Sequence, residues 1–394
     1  MNEQLITPFG DFNLKRIPDN DKNLYAWNSA DRYLLNHLSD LFQSGKADLV
    51  KAKILIINDA FGGLSVPLAQ FSCDAYSDSF VSHQAITLNL TQCCPEHLDK
   101  VTLLKSTDQL KSDYDVVLFK EVKNQAFFQD EMLKLARHLN PDALIIGGIM
   151  AKNLQKNTLE LLNKTIGQTQ ASLAWKKSRL LFVTPQQTAL GDVKEKNNQA
   201  QTQNRLTTYQ LDETHETIYN LANVFSRNKL DIGTRFFLQH LPNKKNYENI
   251  IDLGCGNGVL SLKTAQNYPQ AAITCIDESY MAVASAKMTL EANLPLENLN
   301  VSYQAANALS DYAQNSADLI LCNPPFHQQY VVGDAIAWQM FKQAKKTLVQ
   351  GGELWVVGNR HLAYHLKLQK IFKNHKLIAA NNKFVILKTV KNEL

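Results

Sequence analysis

The chain lacks long hydrophobic runs, a secretory-type N-terminus and any regular cysteine spacing. Its longest apolar runs have the length of a β-strand, so the sequence predicts no membrane span. The opening residues, MNEQLITPFGDFNLKRIP, have no basic segment followed by an apolar one, and we therefore expect a cytoplasmic protein. The 6 cysteines form no C-x-x-C pair and no Cys/His cluster with zinc spacing, so we expect no metal site.

The amino-acid composition indicates a globular protein of two domains. Prolines and glycines are few, at 11 and 16, while hydrophobic residues make up 45% of the chain and charged residues 20%. A chain of 394 residues is too long for one ordinary hydrophobic core. We therefore expect two separate cores.

Positive charge is concentrated at the C-terminal end of the chain. Residues 341–394 contain 11 Lys and Arg against 2 Asp and Glu, a net +9, whereas the whole chain carries +4. Such a surface attracts the phosphates of a nucleic acid. The spacing of Lys367, Lys370 and Lys373 suits one helix face, either as an RNA contact or as an ordinary solvated surface.

Both halves of the chain follow one pattern, in which short apolar segments alternate with amphipathic ones. This alternation is typical of an α/β fold with a parallel sheet and crossover helices. The halves also repeat each other at an offset near 200 residues. The matching pairs are RYLLNHL with RFFLQHL, GGLSVPLAQ with GVLSLKTAQ, DSFVSHQAITLNL with ESYMAVASAKMTL, and DYDVVLFK with SADLILCN.

Four matches in the same order indicate a tandem duplication of one α/β domain, whereas chance could explain a single match. The sequence between the halves is polar and has little apolar periodicity, as a linker should. We therefore predict a first domain at 1–190, a linker or exposed hairpin at 191–215, and a second domain at 216–394.

A glycine-rich turn, DLGCGNG, follows the first apolar strand of the second half. Gly254, Gly256 and Gly258 permit left-handed backbone angles and the close approach of a ligand to the main chain. The helix that follows presents free N–H groups to a carboxylate or phosphate. The spacing G-x-G-x-G differs from the dinucleotide fingerprint G-x-G-x-x-G, because position 259 is valine.

Two polar residues follow the next two strands. Asp277 can accept hydrogen bonds from both hydroxyls of a ribose, and we favour that role over a helix cap shared with Ser279. Asn307 suits the exocyclic amine of an adenine, although a turn-forming role fits it nearly as well.

The segment LILCNPPFHQQ places Asn323, Pro324, Pro325 and Phe326 directly after the fourth strand. Two prolines cannot continue a strand ladder, so the chain leaves the sheet at its carboxyl edge, where ligands bind in open α/β folds. The Asn323 amide oxygen and the Pro324 carbonyl form two acceptors suited to one –NH₂ group, and Phe326 offers a face to a planar base. Alone, NPPF could be a strand-end turn, but after the glycine loop it predicts an amine-binding site.

These motifs give the second half a resemblance to the class I S-adenosylmethionine-dependent methyltransferases that methylate exocyclic amines through an N/D-P-P-F/Y motif. The whole chain resembles the ribosomal RNA guanine-N2 methyltransferases built from a duplicated domain, and among them the RlmG family. The segments that carry the resemblance are NVFSRNKLDIGTRFFLQHLP, DLGCGNGVLSL, DESYMAVASA, LCNPPFHQQ, GNRHLAYHLKLQKIF and NNKFVILKTVK.

The resemblance implies two tandem Rossmann-like class I methyltransferase domains with mostly parallel seven-stranded sheets, the N-terminal one degenerate. It implies S-adenosylmethionine as cofactor and 23S rRNA as partner, and we expect a monomer without metal. The implied residues are Asp252, Gly254, Gly256 and Gly258 for the cofactor loop, Asp277 for the ribose, Asn307 for the adenine, and Asn323 to Phe326 for the target amine. Phe225 and Thr234 would shape the floor near the methionine end, with packing and a helix cap as the alternative.

The first half repeats the loop without its key residues. In ILIINDAFGGLSVPLAQ, Ile56, Asn58 and Ala60 replace the aspartate and the first two glycines, and KEVK stands where the second half has NPPF. We expect this domain to keep the fold without binding the cofactor. It would either orient the RNA, with Lys120 and Lys123 as phosphate contacts, or serve as a purely structural partner.

The reaction implied by the resemblance is methyl transfer to the N2 amine of a guanine, namely guanine 1835 of 23S rRNA. Acceptors at Asn323 and Pro324 would aim the amine lone pair at the methyl group of a flipped-out base. His327 could accept the proton, although a lone histidine is more often a wall residue. The alternatives are a 16S rRNA guanine, an adenine N6 or glutamine amine, and a non-catalytic RNA-binding protein with two inactive domains.

Overall fold

The structure is a computed structural model that describes residues 4–18, 24–110, 113–186, 190, 206–212, 214–243, 246–295, 300–325 and 333–392. It divides into two compact units, Met1–Arg205 and Leu206–Leu394. No helix in the described ranges is long and apolar enough to cross a membrane. The same ranges contain no group of three or more His, Cys, Asp or Glu side chains that could hold a metal ion.

The first unit is built on one seven-stranded sheet whose strands alternate with helices. The strands of the unit are β1 (Leu5–Thr7), β2 (Gly10–Phe12), β3 (Ile54–Ile57), β4 (Cys73–Ser77), β5 (Val101–Lys105), β6 (Tyr114–Lys120), β7 (Leu139–Met150), β8 (Gly167–Ala171) and β9 (Ser178–Pro185). The helices are α1 (Ser29–Gln43), α2 (Ser65–Leu68), α3 (Phe80–Cys93), α4 (Gln125–Leu135) and α5 (Lys156–Thr165).

The second unit repeats that arrangement after a short hairpin. Its strands are β10 (Thr207–Gln210), β11 (Thr217–Asn220), β12 (Asn249–Leu253), β13 (Ala272–Asp277), β14 (Val301–Ala305), β15 (Ala317–Cys322), β16 (Leu348–Asn359), β17 (Lys376–Ala380) and β18 (Phe384–Val390). Its helices are α6 (Ile232–Leu238), α7 (Val259–Asn267), α8 (Tyr280–Asn293), α9 (Gly333–Thr347) and α10 (Tyr364–Phe372).

The two large sheets have the same strand order. It is β5-β4-β3-β6-β7-β9-β8 in the first unit and β14-β13-β12-β15-β16-β18-β17 in the second. In each sheet six strands point in the same direction, and β9 or β18 runs antiparallel to both of its neighbours. The predicted α/β fold with two mostly parallel seven-stranded sheets is therefore confirmed.

The repeated segments form equivalent local structures in the two units. Strand β3 is buried along its whole length, and β12 is buried from its second residue, as expected of central parallel strands. Ser79 and Ser279 cap the equivalent helices α3 and α8, each accepting a hydrogen bond from the backbone N–H three residues later. The duplicated sequence thus encodes a duplicated strand-turn-helix unit.

The hairpin β10–β11 packs against helix α8 of the second unit. The backbone N–H of Tyr219 donates to the Thr289 hydroxyl at 3.1 Å, and that of Leu221 donates to Ser285 at 3.0 Å. Of the predicted linker, residues 191–205 lie outside the described residues, and β10 begins at Thr207. The domain limit at residue 190 stays a prediction.

Candidate active site

Four strand ends bring the predicted site residues to one edge of the second sheet. Strands β12, β13, β14 and β15 are parallel neighbours, so their carboxyl ends lie at one edge. That edge carries Gly254, Asp277, Asn307 and Asn323, which end these strands or follow them within two residues. A Cβ added to Gly254 would lie 3.5 Å from the Asn323 carbonyl oxygen. The glycine loop therefore lies within contact distance of the Asn323 backbone.

The three glycines of the loop have left-handed backbone angles, with φ values of 82° for Gly254, 54° for Gly256 and 80° for Gly258. Gly258 is tightly packed, because an added Cβ would lie 2.8 Å from the Cα of Ala286 on helix α8. Gly256 is open among the described residues, since none of their atoms is found within 4 Å of its added Cβ. Gly258 therefore serves the packing of the loop, whereas Gly256 leaves space beside the main chain.

Asp252 lies beneath the loop rather than in the open space. Its side chain is buried, and one carboxylate oxygen accepts a hydrogen bond from the Ser261 hydroxyl of helix α7 at 2.6 Å. Burial raises the pKa of the Asp252 carboxyl to about 7, with a further upward contribution from Asp277. Its position suits a residue that ties β12 to the start of α7.

Asp277 is half-buried and faces the loop from the end of β13. One carboxylate oxygen accepts from the Gly256 N–H at 3.0 Å, and the other accepts from the Ser279 N–H at 3.0 Å. Burial raises the pKa of this carboxyl despite these two N–H donors and a third, the Glu278 N–H. Ser279 caps helix α8 by accepting from Ala282, so the capping role considered for Asp277 is filled by its neighbour.

Asn307 follows β14 and is linked to helix α9. Its amide oxygen accepts a hydrogen bond from the Gln339 side chain at 3.0 Å. Gln339 was not among the predicted site residues, because a contact that spans 32 positions leaves no local signal in the sequence. The adenine contact at Asn307 stays a prediction.

Asn323 is oriented by a hydrogen bond from its amide nitrogen. This nitrogen donates to the Thr234 hydroxyl oxygen of helix α6 at 3.1 Å. The amide oxygen Oδ1 is buried and has no hydrogen-bond partner among the described residues. A buried acceptor without a donor is costly in a folded protein, which makes this atom a candidate ligand-binding group. Pro324 and Pro325 follow it, whereas the predicted stacking residue Phe326 and the candidate proton acceptor His327 lie outside the described residues.

The two floor residues differ in their surroundings. Thr234 lies in the first turn of α6, where its N–H donates to the capping residue Asp231 at 2.8 Å. Phe225 is 62% exposed, so burial in a hydrophobic core does not account for its position. Their contact with a cofactor stays a prediction.

The predicted RNA-contact lysines lie in unlike environments. Lys120 is buried, and its ammonium group lies 2.6 Å from the carboxylate of Asp31. Its charge is therefore neutralised by an ion pair inside the first unit. Lys123 is exposed. Lys120 is therefore poorly placed to reach an RNA phosphate, whereas Lys123 is accessible to one.

The three lysines near helix α10 do not form one helical face as the spacing suggested. Lys367 lies in the helix and donates to the Leu362 carbonyl at 3.2 Å, and Lys370 lies over the Trp338 ring. Lys373 follows the end of the helix with a left-handed φ of 67°. Because Lys373 itself has this left-handed angle, it does not continue the helical periodicity of Lys367 and Lys370.

A basic group that the sequence analysis did not assign lies at the same sheet edge as Asn323. Strand β16 runs parallel to β15, so Arg360 and His361 follow it beyond that edge. Phe384 of β18 pairs with Asn359, which brings Lys383 to the same edge. We call Arg360, His361 and Lys383, all exposed, the basic edge. In the sequence, Arg360 and His361 directly follow the apolar segment of β16, and Lys383 directly precedes that of β18. That placement at strand ends was the signal from which this group could have been found.

The equivalent loop in the first unit is filled by its own side chains. The buried Asp59 carboxylate accepts from four successive backbone N–H groups, those of Gly62, Gly63, Leu64 and Ser65, at 2.7–3.1 Å. Asn58 keeps the left-handed angle, with φ at 64°, and donates to Glu131 at 2.9 Å. An internal anion thus occupies the N–H groups that an external ligand would need.

The corresponding N–H groups in the second unit have different partners: that of Gly258 donates to the Cys255 carbonyl at 2.9 Å, and that of Ser261 donates to Asp252. Helix α7 begins at Val259, and its N-cap residue, Gly258, makes no side-chain cap in the described part of the chain. Among the described residues, Gly256 has open space at its added Cβ and the Asn323 oxygen has no hydrogen-bond partner, so both are available to a ligand at this edge. These features fit a cofactor that has a carboxylate, a ribose and a group that reacts with an amine.

Known families match the two units separately. Residues 2–187 match the family described as RLMG N-terminal domain, and residues 215–388 match the family described as Methyltransferase small domain. Proteins named Ribosomal RNA large subunit methyltransferase G are similar over nearly the whole chain. The one from Vibrio vulnificus is 42% identical over 96% of each chain, and the one from Pseudomonas savastanoi pv. phaseolicola is 41% identical over 98% of this chain and 99% of its own.

Among solved structures, a T. thermophilus 16S rRNA guanine-N2 methyltransferase (RsmC), in complex with AdoMet and guanosine, superposes with a TM-score of 0.72. The alignment covers 100% of this chain and 98% of the other at 18% identity. The similarity confirms the predicted tandem class I methyltransferase fold.

The packing of the loop predicts different stability effects at two of its glycines. We expect Gly258→Ala to lower the free energy of unfolding by about 2–4 kcal/mol, because the new Cβ meets Ala286 and the backbone is left-handed. Gly256→Ala, with open space around it, should cost about 1 kcal/mol for the left-handed angle alone. Urea unfolding of both variants measures the difference. Equal losses would contradict the packing role of Gly258.

Proposed function

The chain belongs to the ribosomal RNA large subunit methyltransferase G family, and on that basis we propose that it methylates the N2 amine of a guanine in 23S rRNA. The methyl donor is S-adenosylmethionine, and the target is guanine 1835. The observation that carries the proposal is the buried Asn323 amide oxygen, which has no partner in the described part of the chain. That role places the enzyme in the cytoplasm with its ribosomal substrate.

The second unit supplies residues suited to hold the cofactor. Asp277 would accept the ribose hydroxyls, Asn307 the adenine amine, and the N–H groups at the start of α7 the carboxylate. The open space at Gly256 would admit the ligand to the main chain. When bound, S-adenosylmethionine supplies an electrophilic methyl group on a sulfonium sulfur.

Asn323 and Pro324 would prepare the guanine amine for reaction. The lone pair of this amine is delocalised into the ring, which makes it a weak nucleophile. Hydrogen bonds from the amine to the Asn323 Oδ1 and the Pro324 carbonyl would orient the –NH₂ group and favour the positive charge that develops on nitrogen. The product ammonium is acidic and can release its proton to water, so the reaction requires no strong base in the protein.

The first unit would contribute no second cofactor site. Asp59 and Asn58 fill its loop, and Lys120 stands where the second unit has Asn323. Its proposed role is to orient the RNA, with Lys123 as an accessible cation. A purely structural role is the alternative.

The basic edge favours a polyanionic substrate over a small amine or a glutamine side chain. Arg360 is held in place by a hydrogen bond from its guanidinium to the Asn381 carbonyl at 3.0 Å. Helix α6, which carries Thr234, also packs against this region, because an added Cβ on Gly233 would lie 3.0 Å from Phe384. The strand that flanks a flipped-out guanine could therefore place its phosphates on the basic edge.

A first test removes the proposed amine acceptor. We expect Asn323→Ala to lower kcat on the order of a hundredfold or more, because the amine loses an oriented acceptor, while the affinity for S-adenosylmethionine stays within about threefold. Labelled methyl transfer to 23S rRNA from a strain without the enzyme, followed by nucleoside mass spectrometry, measures the rate and identifies the product.

The expected product is N2-methylguanosine in the large-subunit RNA only. A wild-type rate in Asn323→Ala would contradict the proposed mechanism. Methyladenosine, methylglutamine or 16S rRNA product would instead identify one of the alternative substrates, and absence of any transfer with intact cofactor binding would favour a binding protein.

A second test concerns the basic edge. We expect Arg360→Gln and Lys383→Gln each to weaken rRNA binding and to reduce the slope of log affinity against log salt by about 1, because each removes one phosphate contact. Lys373→Gln is the matched control, since Lys373 precedes Asn374, which bonds Val390 near the opposite sheet edge. Filter binding at several salt concentrations measures the slopes. A larger effect at Lys373 than at the basic edge would contradict this placement of the RNA.

A further inference from the structure

We propose that Thr234 is a positioning residue that fixes which end of the Asn323 amide, the oxygen or the nitrogen, meets the guanine amine. This inference rests on the proposed function and assigns to Thr234 a role different from cofactor contact. An asparagine amide has a donating end and an accepting end of nearly equal size. Only the orientation with Oδ1 toward the substrate can accept a hydrogen bond from an –NH₂ group.

The hydrogen bonds around Thr234 leave one consistent arrangement. The Thr234 hydroxyl donates to a carboxylate oxygen of Asp231 at 3.3 Å, and that oxygen can only accept. A hydroxyl has a single hydrogen, so its oxygen faces Asn323 as an acceptor. The Asn323 nitrogen, 3.1 Å away, must therefore be the donor. The chain Asp231–Thr234–Asn323 thus sets the amide with Oδ1 facing away from Thr234.

The accepting end of the amide is the one that lacks a partner. Oδ1 is buried and unbonded in the described part of the chain, whereas the nitrogen is satisfied. A reversed amide would bring two acceptors, Oδ1 and the Thr234 oxygen, together and would present N–H groups to a target that itself donates. Both consequences disfavour the reversed amide.

The first unit links the same two positions with a different pair. Lys120 and Asp31 occupy the places of Asn323 and Thr234 in the repeated segments, and their charged groups lie 2.6 Å apart. The contact between this helix turn and the end of the fourth strand is therefore common to both units. In the second unit it ends in Asn323, whose Oδ1 has no hydrogen-bond partner among the described residues.

The test removes the hydroxyl and asks whether the effect passes through Asn323. We expect Thr234→Val to lower kcat about tenfold to a hundredfold, because the amide loses its orienting partner. The dissociation constant for S-adenosylhomocysteine, measured by calorimetry without any turnover, should change less than about threefold. Thr234→Ser, which keeps the hydroxyl, should restore kcat.

An Asn323→Asp background provides the matched control. A carboxylate has two accepting oxygens, so its orientation does not depend on Thr234. Single-turnover rates should then fall far less on Thr234→Val than they do beside Asn323. An equal loss in both backgrounds, a weaker cofactor affinity that accounts for the loss, or a wild-type kcat in Thr234→Val would each overturn the inference. If wild-type enzyme forms no N2-methylguanosine, the proposed function itself fails, which is a separate result.

Discussion

The left-handed turn after the first strand of each sheet is the constraint on which the other features depend. In both units the residue that begins the turn has a positive φ, 64° at Asn58 and 82° at Gly254, and its N–H donates to the carbonyl of the neighbouring strand at 3.0 and 2.8 Å. This turn directs the chain into the following helix, whose N-terminal N–H groups then face the sheet edge. The fold requires the turn, but it does not require that the space beside the turn stay open.

The two units differ in what occupies that space. In the first, the Asp59 carboxylate takes the helix N–H groups, and Lys120 pairs with Asp31. In the second, within the described residues, open space surrounds the added Cβ of Gly256 and the Asn323 Oδ1 has no hydrogen-bond partner. A duplicated domain can thus lose its binding function while its core stays intact, because internal side chains satisfy the polar groups that a ligand would otherwise satisfy. The positions of Lys120 and Asp31 hold an ion pair in the first unit, and the equivalent positions of Asn323 and Thr234 are those to which we assign the amine site in the second.

The sequence predicted the sheets and the site edge well, but it did not predict how side chains meet within the site. Repeats and strand-helix alternation were sufficient for two equivalent seven-stranded sheets, because both depend on local patterns. The burial of Lys120 against Asp31 and the bond from Asn323 to Thr234 each join residues 89 positions apart. Local sequence periodicity cannot predict contacts between residues so far apart in the chain. Asp252 likewise occupies a loop motif, and only the packing of Ser261 reveals that it lies beneath the loop.

The central claim is that one chain has one cofactor site, in its second half. Calorimetric titration of the full chain with S-adenosylmethionine tests it directly, because the ligand-to-chain molar ratio at which binding saturates gives the number of sites without reference to turnover. The account predicts a stoichiometry of one, since Asp59 already occupies the loop of the first unit. A stoichiometry of two would contradict it.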